Sequence, residues 1–323
     1  MLLSVRLMTY NHSKSIIKCL EGIERQQTTF QFEVVIGDDF SSDNNIELIQ
    51  QFISLSKNSK IKYNLLQRKK GDLYDTARQK KGRLYNFTNI IENSKGKYIA
   101  LLDGDDCWLD PFKLQKQVDV LEKNSNVSLV YTNAKINSDK GGDYEGEATF
   151  YKSDYPLMPM KKQDFFLKNN YALLVVTVMF RKSDFDENVK NTMLEFATGD
   201  FALYFMLSGK GDFYYINECS SLYYDHAQGE SKRFSKLKRD KHNYNKMNYL
   251  KPYIKPSNLK LFTQYQHLYL IRSIFNIMFR KVRLDGLSGL KYLHIFFVKP
   301  NHLKLRYIYY YIKLVFLKST FVK

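Results

Sequence analysis

Short apolar runs alternate with helical patterns along the first half of the chain, and this alternation is the feature that most constrains the fold. The runs are Leu2–Leu7, Phe32–Ile36, Ile61–Leu66, Tyr98–Leu102 and Val127–Tyr131. Such an alternation is typical of β-α-β units, which form a mostly parallel sheet flanked by helices. The sequence therefore predicts an α/β fold, in which the polar, basic stretch Gln67–Arg83 is expected to be a surface loop.

Polar clusters stand where three of these runs end. They are Thr9-Tyr10-Asn11, Asp38-Asp39 and Asp103-Gly104-Asp105-Asp106. Because ligands of an open parallel sheet bind beyond the carboxyl ends of its strands, we expect the site at this edge. The three carboxylates of the last cluster repel one another unless a cation neutralises them, and such ligands suit Mg²⁺ or Mn²⁺ together with diphosphate oxygens. The alternative is an acidic surface loop that caps a helix.

Four longer segments extend this pattern. They are Met8–Asn11, Val35–Asp43, Gly96–Trp108 and Asp110–Gln117. In order and spacing they resemble the family 2 inverting glycosyltransferases, particularly the bacterial members that build surface polysaccharides. The resemblance covers about residues 1–133 and, more loosely, the chain to about residue 231. It implies an α/β fold of the GT-A type, a Rossmann-like nucleotide-binding mixed sheet flanked by helices, here followed by a basic, aromatic-rich helical C-terminal extension.

The resemblance implies a nucleotide-binding role for the first two clusters. Thr9, Tyr10 and Asn11 would line the base and ribose pocket. Asp39, with Asp38 beside it, would recognise the pyrimidine, since a carboxylate can accept the uracil imide N–H. The expected donor is therefore a nucleotide sugar, in particular a UDP-sugar.

The acidic cluster would bind the other end of the nucleotide. The resemblance implies that Asp103 and Asp105 lie near the ribose and diphosphate, and that Asp106 or Asp105 ligates Mn²⁺ or Mg²⁺. His226 is a further candidate, as a third metal ligand or as a phosphate contact. The alternative for a lone histidine is a structural role.

The catalytic base is expected from the second half of the chain. Inversion by single displacement needs a carboxylate that takes the proton of the attacking acceptor hydroxyl. In relatives this residue lies in an acidic or glycine-containing pair that opens a helix, and Thr198-Gly199-Asp200-Phe201 resembles that pattern. We predict Asp200 as the base, and the alternative is that it only caps the helix.

Three cysteines, Cys19, Cys107 and Cys219, are widely spaced and form no C-x-x-C motif. They argue against a disulfide framework and a structural zinc site, and in favour of a reducing cytosol. The start of the chain has no long apolar stretch typical of a signal peptide. The longest charge-free apolar run, Tyr171–Phe180, has ten residues, about half of what a bilayer span requires. It is expected to be a buried strand.

Positive charge is concentrated at the end of the chain. Ser231–Lys323 has 21 basic and two acidic residues, a net charge of +19, whereas Met1–Glu230 has a net charge of −2. Aromatic residues are dense among the basic ones, and basic amphipathic helices of this kind suit an anionic membrane surface. Alternatively, the helices pack on the catalytic domain. No nucleic-acid partner is expected, since no recognised binding motif is present.

Together these features predict a GT-A catalytic domain at residues 1–230 and a basic helical region at 231–323. Residues 1–133 would form its nucleotide-binding half, and 134–230 its acceptor and catalytic-base half. The predicted enzyme is a metal-dependent inverting hexosyltransferase of cell-surface polysaccharide synthesis. It would act on a saccharide acceptor, expected to be lipid-linked, as a cytoplasmic protein peripheral to the inner face of the bacterial membrane. The rivals are a catalytically silent GT-A-like scaffold and a nucleotidyltransferase, for which a Gly-rich phosphate loop is missing.

Overall fold

The computed structural model describes residues 1–138, 149, 173–196, 198–226, 245–254, 256–260, 262–263 and 266. Its contacts divide the chain into two units. One unit comprises Met1–Glu195 and Gly199–Gly229, and the other comprises Phe196–Thr198 and Glu230–Lys323. Within the described part of the chain, no helix is long and apolar enough to cross a membrane.

A mixed sheet forms the centre of the first unit. Its strands, over the described residues, are β1 (Leu3–Thr9), β2 (Phe32–Asp38), β3 (Ile61–Leu65), β4 (Tyr98–Asp103), β5 (Cys107–Trp108), β6 (Val127–Ser138), β7 (Met179–Arg181) and β8 (Asp212–Asp225). They are ordered β3-β2-β1-β4-β7-β6-β8-β5. The first four strands along this order are parallel, and β7 runs antiparallel to β4 and β6. The predicted α/β sheet is confirmed.

Helices connect and cover the strands. They are α1 (Ile16–Glu24), α2 (Asn45–Leu55), α3 (Leu73–Lys81), α4 (Leu84–Glu92), α5 (Lys113–Lys123), α6 (Glu187–Leu194) and α7 (Gly199–Lys210). Short 3₁₀ helices occur at Val175–Thr177, Lys182–Asp184, Met247–Tyr253 and Pro256–Asn258. The last two belong to the second unit.

The two faces of β1 pack against different helices. Leu3, Val5 and Leu7 point into an apolar core that also contains residues of α1, α2 and α5. The alternate residues point to the opposite face, where α4 packs on β1 and β2. Burial of both faces explains why the first strands read as nearly continuous apolar runs.

Two of the sequence-based expectations are wrong. The predicted loop Gln67–Arg83 contains helix α3, whose N-terminus is capped by the Asp72 carboxylate, which accepts the Asp75 amide at 2.7 Å. The apolar run Tyr171–Phe180 is not one strand, because Val175–Thr177 forms a 3₁₀ turn before the short strand β7. Short polar helices lack the apolar periodicity that would reveal them in a sequence.

Candidate functional site

Strand pairing brings the three polar clusters together. Thr9 lies opposite Asp38 where β1 pairs with β2, and Met8 lies opposite Asp103 where β1 pairs with β4. All three strands are parallel, so their polar ends lie side by side at one edge of the sheet. The structure thus confirms the expected meeting of the clusters.

The loops after β1 and β2 are tied to each other. The Asn11 backbone has a φ of +54°, its amide donates to the Ser41 hydroxyl at 2.8 Å, and its side-chain oxygen accepts the Ser42 amide at 2.7 Å. The buried Asp38 carboxylate accepts the Ser41 amide at 2.8 Å and the Asn45 side-chain amide at 2.8 Å. Asn11 and Asp38 therefore hold the loops in place, in addition to any contact with a nucleotide.

Asn45 also contacts the end of β1. The Asn45 side-chain amide donates to the Thr9 hydroxyl at 3.0 Å, and both residues are buried. Tyr10, next along the loop, is 50% exposed. Asn11 is exposed as well, so these two residues are the members of the Thr9-Tyr10-Asn11 cluster that an incoming base could reach.

Helix α3 supplies partners for Asp39 that sequence reasoning missed. The Tyr74 hydroxyl donates to Asp39 Oδ1 at 3.0 Å, and the Arg78 guanidinium donates from Nε at 2.9 Å and from Nη2 at 2.7 Å. Arg68 stacks on the Tyr74 ring at 3.7 Å and donates to the Asp38 carbonyl at 2.8 Å. A tyrosine hydroxyl is a donor at neutral pH, and burial raises the pKa of Tyr74 further above its ordinary value. The many basic residues between 67 and 83 were the sequence signal that could have pointed to partners for Asp39.

Three environments distinguish the carboxylates of the acidic cluster. Asp103 accepts from the buried Arg6 guanidinium, Nη1 to Oδ1, at 2.5 Å. Asp105 Oδ2 lies 3.1 Å from His226 Nε2. The buried Asp106 accepts the Tyr224 backbone amide at 3.0 Å.

These environments shift the pKa values in opposite directions. Burial raises the pKa of the Asp106 carboxyl well above its ordinary value, and the charge of Asp105 raises it further. Burial also acts to raise the pKa of Asp105, but the hydrogen bond with His226 and the proximity of His12 outweigh burial and lower it. Asp105 therefore stays ionised, whereas the neighbouring Asp106 is more readily protonated.

The turn of this cluster leaves no room for a side chain at Gly104. A Cβ atom there would lie 2.8 Å from His12 Nδ1 and 2.8 Å from the Thr9 hydroxyl oxygen. The loop after β1 thus packs directly against the acidic turn. Close approach of two loops is one of the reasons for which glycine is required.

Asp200 lies in the first turn of α7, and its carboxylate accepts the Phe201 amide at 2.9 Å. Burial raises the pKa of Asp200, the Phe201 amide and the Arg83 charge act to lower it, and Asp103 raises it further. The interaction with Asp103 places this residue within electrostatic range of the acidic cluster.

Within the described residues, no three His, Cys, Asp or Glu side chains are grouped so that they could hold a metal ion together. Asp105 and Asp106 are adjacent in the acidic turn, and His226, which follows β8, has its Nε2 atom 3.1 Å from Asp105 Oδ2. Carboxylate oxygens such as those of Asp105 and Asp106 suit a divalent cation whose remaining ligands come from diphosphate oxygens, the usual arrangement for Mg²⁺ and accessible to Mn²⁺.

The profile of glycosyl transferase family 2 matches residues 4–190, and the chain belongs to this family. Its fold is accordingly of the GT-A type. Asp200 and His226 lie beyond the matched residues, whereas the three clusters lie within them.

Two proteins are similar to this chain over part of its length. An uncharacterized protein of Mycobacterium tuberculosis is 26% identical over 231 residues, which are 70% of this chain and 60% of that protein. The Escherichia coli UDP-Glc:alpha-D-GlcNAc-diphosphoundecaprenol beta-1,3-glucosyltransferase WfgD is 30% identical over 135 residues, 42% of this chain and 46% of that enzyme. The chain thus spans 60% or less of the length of these relatives.

A solved structure has the same fold. The crystal structure of S. aureus TarS 1-349 in complex with UDP-GlcNAc superposes with a TM-score of 0.58 and 15% identity. The superposition covers 90% of this chain and 78% of that one.

Proposed function

We propose that this protein is a metal-dependent inverting glycosyltransferase that transfers a sugar from a UDP-linked donor to a saccharide acceptor. The observation that carries the proposal is the meeting of the three polar clusters at one edge of the sheet. The electrostatic influence of Asp103 on the pKa of Asp200 supports the inclusion of Asp200 in the site. UDP is favoured because the S. aureus structure holds UDP-GlcNAc and the E. coli relative is named for UDP-Glc. The diphosphoundecaprenol in the latter name favours a lipid-linked acceptor and a role in surface polysaccharide synthesis.

In this proposal, Asp39 accepts the N–H of the pyrimidine, while Tyr74 and Arg78 hold the Asp39 carboxylate in a fixed orientation. Thr9, Tyr10 and Asn11 line the base and ribose pocket, and Asp38 supports their loop. Asp103 and Asp105 face the ribose and diphosphate. Orientation of donor and acceptor accounts for a large share of catalysis of this kind.

Asp200 is the proposed general base. The acceptor hydroxyl oxygen forms a bond to the anomeric carbon as the bond from that carbon to the diphosphate oxygen breaks. The diphosphate leaves with the electron pair, the hydroxyl proton passes to the Asp200 carboxylate, and the configuration inverts. A raised pKa suits this role, because a base is most effective when its pKa lies near the working pH.

Asp105 or Asp106, with His226 as a further candidate, would hold Mn²⁺ or Mg²⁺. When bound, the cation would act as a Lewis acid that offsets the charge developing on the leaving diphosphate. The acidic turn would supply carboxylate oxygens to the cation, and His226, 3.1 Å from Asp105, could add an imidazole nitrogen.

Replacement of Asp200 by Asn tests the base assignment. We expect Asp200→Asn to lower transfer by about 10²–10⁴-fold, the usual contribution of a general base, and to leave UDP binding nearly intact. The measurement is UDP release over a panel of UDP-sugars and saccharide acceptors with Mn²⁺, alongside calorimetric titration with UDP.

A matched control is Asp186→Asn, since Asp186 caps α6 by accepting the Val189 amide at 2.9 Å. Wild-type transfer is expected for this variant. Turnover by Asp200→Asn at the wild-type rate would contradict the assignment of the base. Tight UDP binding by the wild-type protein, without transfer or hydrolysis of any donor, would favour a catalytically silent scaffold, and release of pyrophosphate would indicate a nucleotidyltransferase.

A further inference from the structure

Arg6 is a charged residue in the middle of a strand that is closed to water. It lies in β1, opposite Val35 of β2 and Leu101 of β4, and its side chain is 0% exposed. Burial of a guanidinium is strongly unfavourable unless an anion and hydrogen bonds compensate its charge. An apolar residue would satisfy packing at this position, so packing alone does not explain the arginine.

The sheet register directs Arg6 towards the site. Leu101 lies opposite Arg6, and Asp103 lies two residues further along β4, on the same face. Arg6 Nη1 donates to Asp103 Oδ1 at 2.5 Å. From the other side, the guanidinium lies 4.2 Å from the ring centroid of Phe87 on α4. Arg6 is therefore fixed between a helix and the end of β4.

The charge of Arg6 is compensated mainly by the Asp103 carboxylate. Arg6 Nε and Nη2 are buried and have no hydrogen-bond partner among the described residues. The Asp103 side chain itself is 26% exposed, so it reaches the surface of the site while Arg6 holds it from beneath. The pair thus links the interior of the sheet to the edge where the donor is proposed to bind.

We propose that Arg6 is a positioning residue for the donor: it holds the Asp103 carboxylate in one orientation and offsets the repulsion among the carboxylates gathered at this edge. The inference rests on the proposed role of Asp103 towards the nucleotide. A guanidinium suits this task, because it stays charged when buried and its planar donors define the direction of the accepting carboxylate.

A double-mutant cycle on UDP binding tests the inference. The proteins are the wild type, Arg6→Met, Asp103→Asn and the double variant, each titrated calorimetrically with UDP in the presence of Mn²⁺. We expect each single variant to bind UDP about tenfold more weakly, as for loss of one charge-assisted contact. The double variant should bind no more weakly than the weaker single variant, because Arg6 acts through Asp103.

Two further variants complete the experiment. Ser4→Ala is the matched control, since Ser4 lies on the same face of β1 and its hydroxyl donates to the buried Glu33 at 2.5 Å, away from the site. It should bind UDP like the wild type. Arg6→Lys keeps the charge and should recover part of the affinity. If folded Arg6→Met and Arg6→Lys proteins both bind UDP with wild-type affinity, the inference is overturned. Independent losses of affinity in the double variant would overturn it as well.

The stability of the same proteins separates this inference from the proposed function. Arg6→Met leaves a carboxylate without its partner, so its denaturation midpoint should fall, and the double variant should be more stable than Arg6→Met because neither charge remains. Additive losses of stability would overturn the pairing. Failure of the wild type to bind UDP would refute the proposed donor, while the stability cycle would still decide the role of Arg6.

Discussion

At the scale of single residues, several charged side chains of this protein are buried, and Lys113 shows how strongly burial shifts a pKa. Its side chain on α5 is buried, donates to Gln117 Oε1 at 2.6 Å and lies 4.7 Å from the ring centroid of Trp108. Burial lowers the pKa of Lys113 to about 7, and the charge of Asp110 opposes this only partly. The ammonium form is therefore favoured less in the folded than in the unfolded chain.

Stability should consequently rise with pH above neutrality. Between about pH 7, the folded pKa, and about pH 10.4, the unfolded pKa, the unfolded chain binds the proton and the folded chain does not. Lys113 thus contributes a slope of up to about 1.4 kcal/mol per pH unit in this window. Lys113→Met should remove it, as measured by denaturant unfolding at pH 7, 8 and 9. Lys123→Met, at the exposed end of the same helix, should keep the wild-type slope, and an equal slope in all three proteins would contradict the prediction.

At the scale of elements, the fit between α4 and the sheet places the loops of the site. A Cβ atom on Gly37 in β2 would lie 2.5 Å from Ile90 and 2.6 Å from Asn86, both on α4. The Asn86 side-chain amide donates to the Gly37 carbonyl at 3.0 Å and its oxygen accepts from Arg68 at 2.6 Å. The same helix therefore supports the end of β2 and the segment that covers Asp39.

Gly37→Ala should push α4 away from β2. We expect a loss of about 1–3 kcal/mol in the free energy of unfolding, the usual cost of overpacking. Gly71→Ala is the control: its φ is +83° and no atom of the described residues lies within 4 Å of a Cβ there, so only backbone strain of about 1–2 kcal/mol applies. Chemical denaturation of the two variants and the wild type provides the comparison. Weakened UDP binding by Gly37→Ala but not by Gly71→Ala would show that the fit reaches the site, and wild-type stability of Gly37→Ala would contradict the close contact.

At the scale of the whole molecule, charge is divided between two regions of the chain. We propose that residues 1–230 form the catalytic domain and that 231–323 form a basic region that binds the anionic inner face of the cytoplasmic membrane. The net charge of +19 after residue 230, with dense aromatic residues, supports this proposal. A lipid-linked acceptor would be presented at the same surface. The structure of most of this region lies outside the described residues.

Neutralising part of this charge tests the membrane proposal in the full chain. Replacement of Arg272, Arg280, Lys281 and Arg283 by Gln should lower the affinity for phosphatidylserine-containing vesicles by roughly two to three orders of magnitude, since each basic residue contributes about 1 kcal/mol of binding free energy. Flotation with the vesicles measures this affinity. Vesicles of neutral lipid should bind the wild type weakly. The matched control replaces the exposed Lys57, Lys62, Lys95 and Lys123 by Gln. An equal loss in both variants would contradict a specific role of the C-terminal region.

Local patterns predicted much of the fold and the site. Apolar runs reveal strands because alternate side chains of a covered strand meet apolar layers on both faces, and this requires no knowledge of partners. The same runs showed where the strands end, so the clusters at Thr9, Asp38 and Asp103 could be assigned to one edge before their pairing was known. Helix α3 was not predicted, because its nine mostly polar residues show no apolar periodicity.

What the sequence determined by itself is therefore the α/β class, the carboxylates available at the edge and the separation of charge along the chain. Only the tertiary structure decided which groups meet: Arg6 with Asp103 across 97 residues, Arg78 with Asp39 across 39, and His226 with Asp105 across 121. The physical reason is one of range. Propensity and periodicity act within a few residues, whereas a buried ion pair depends on strand register and on the helix packed above it.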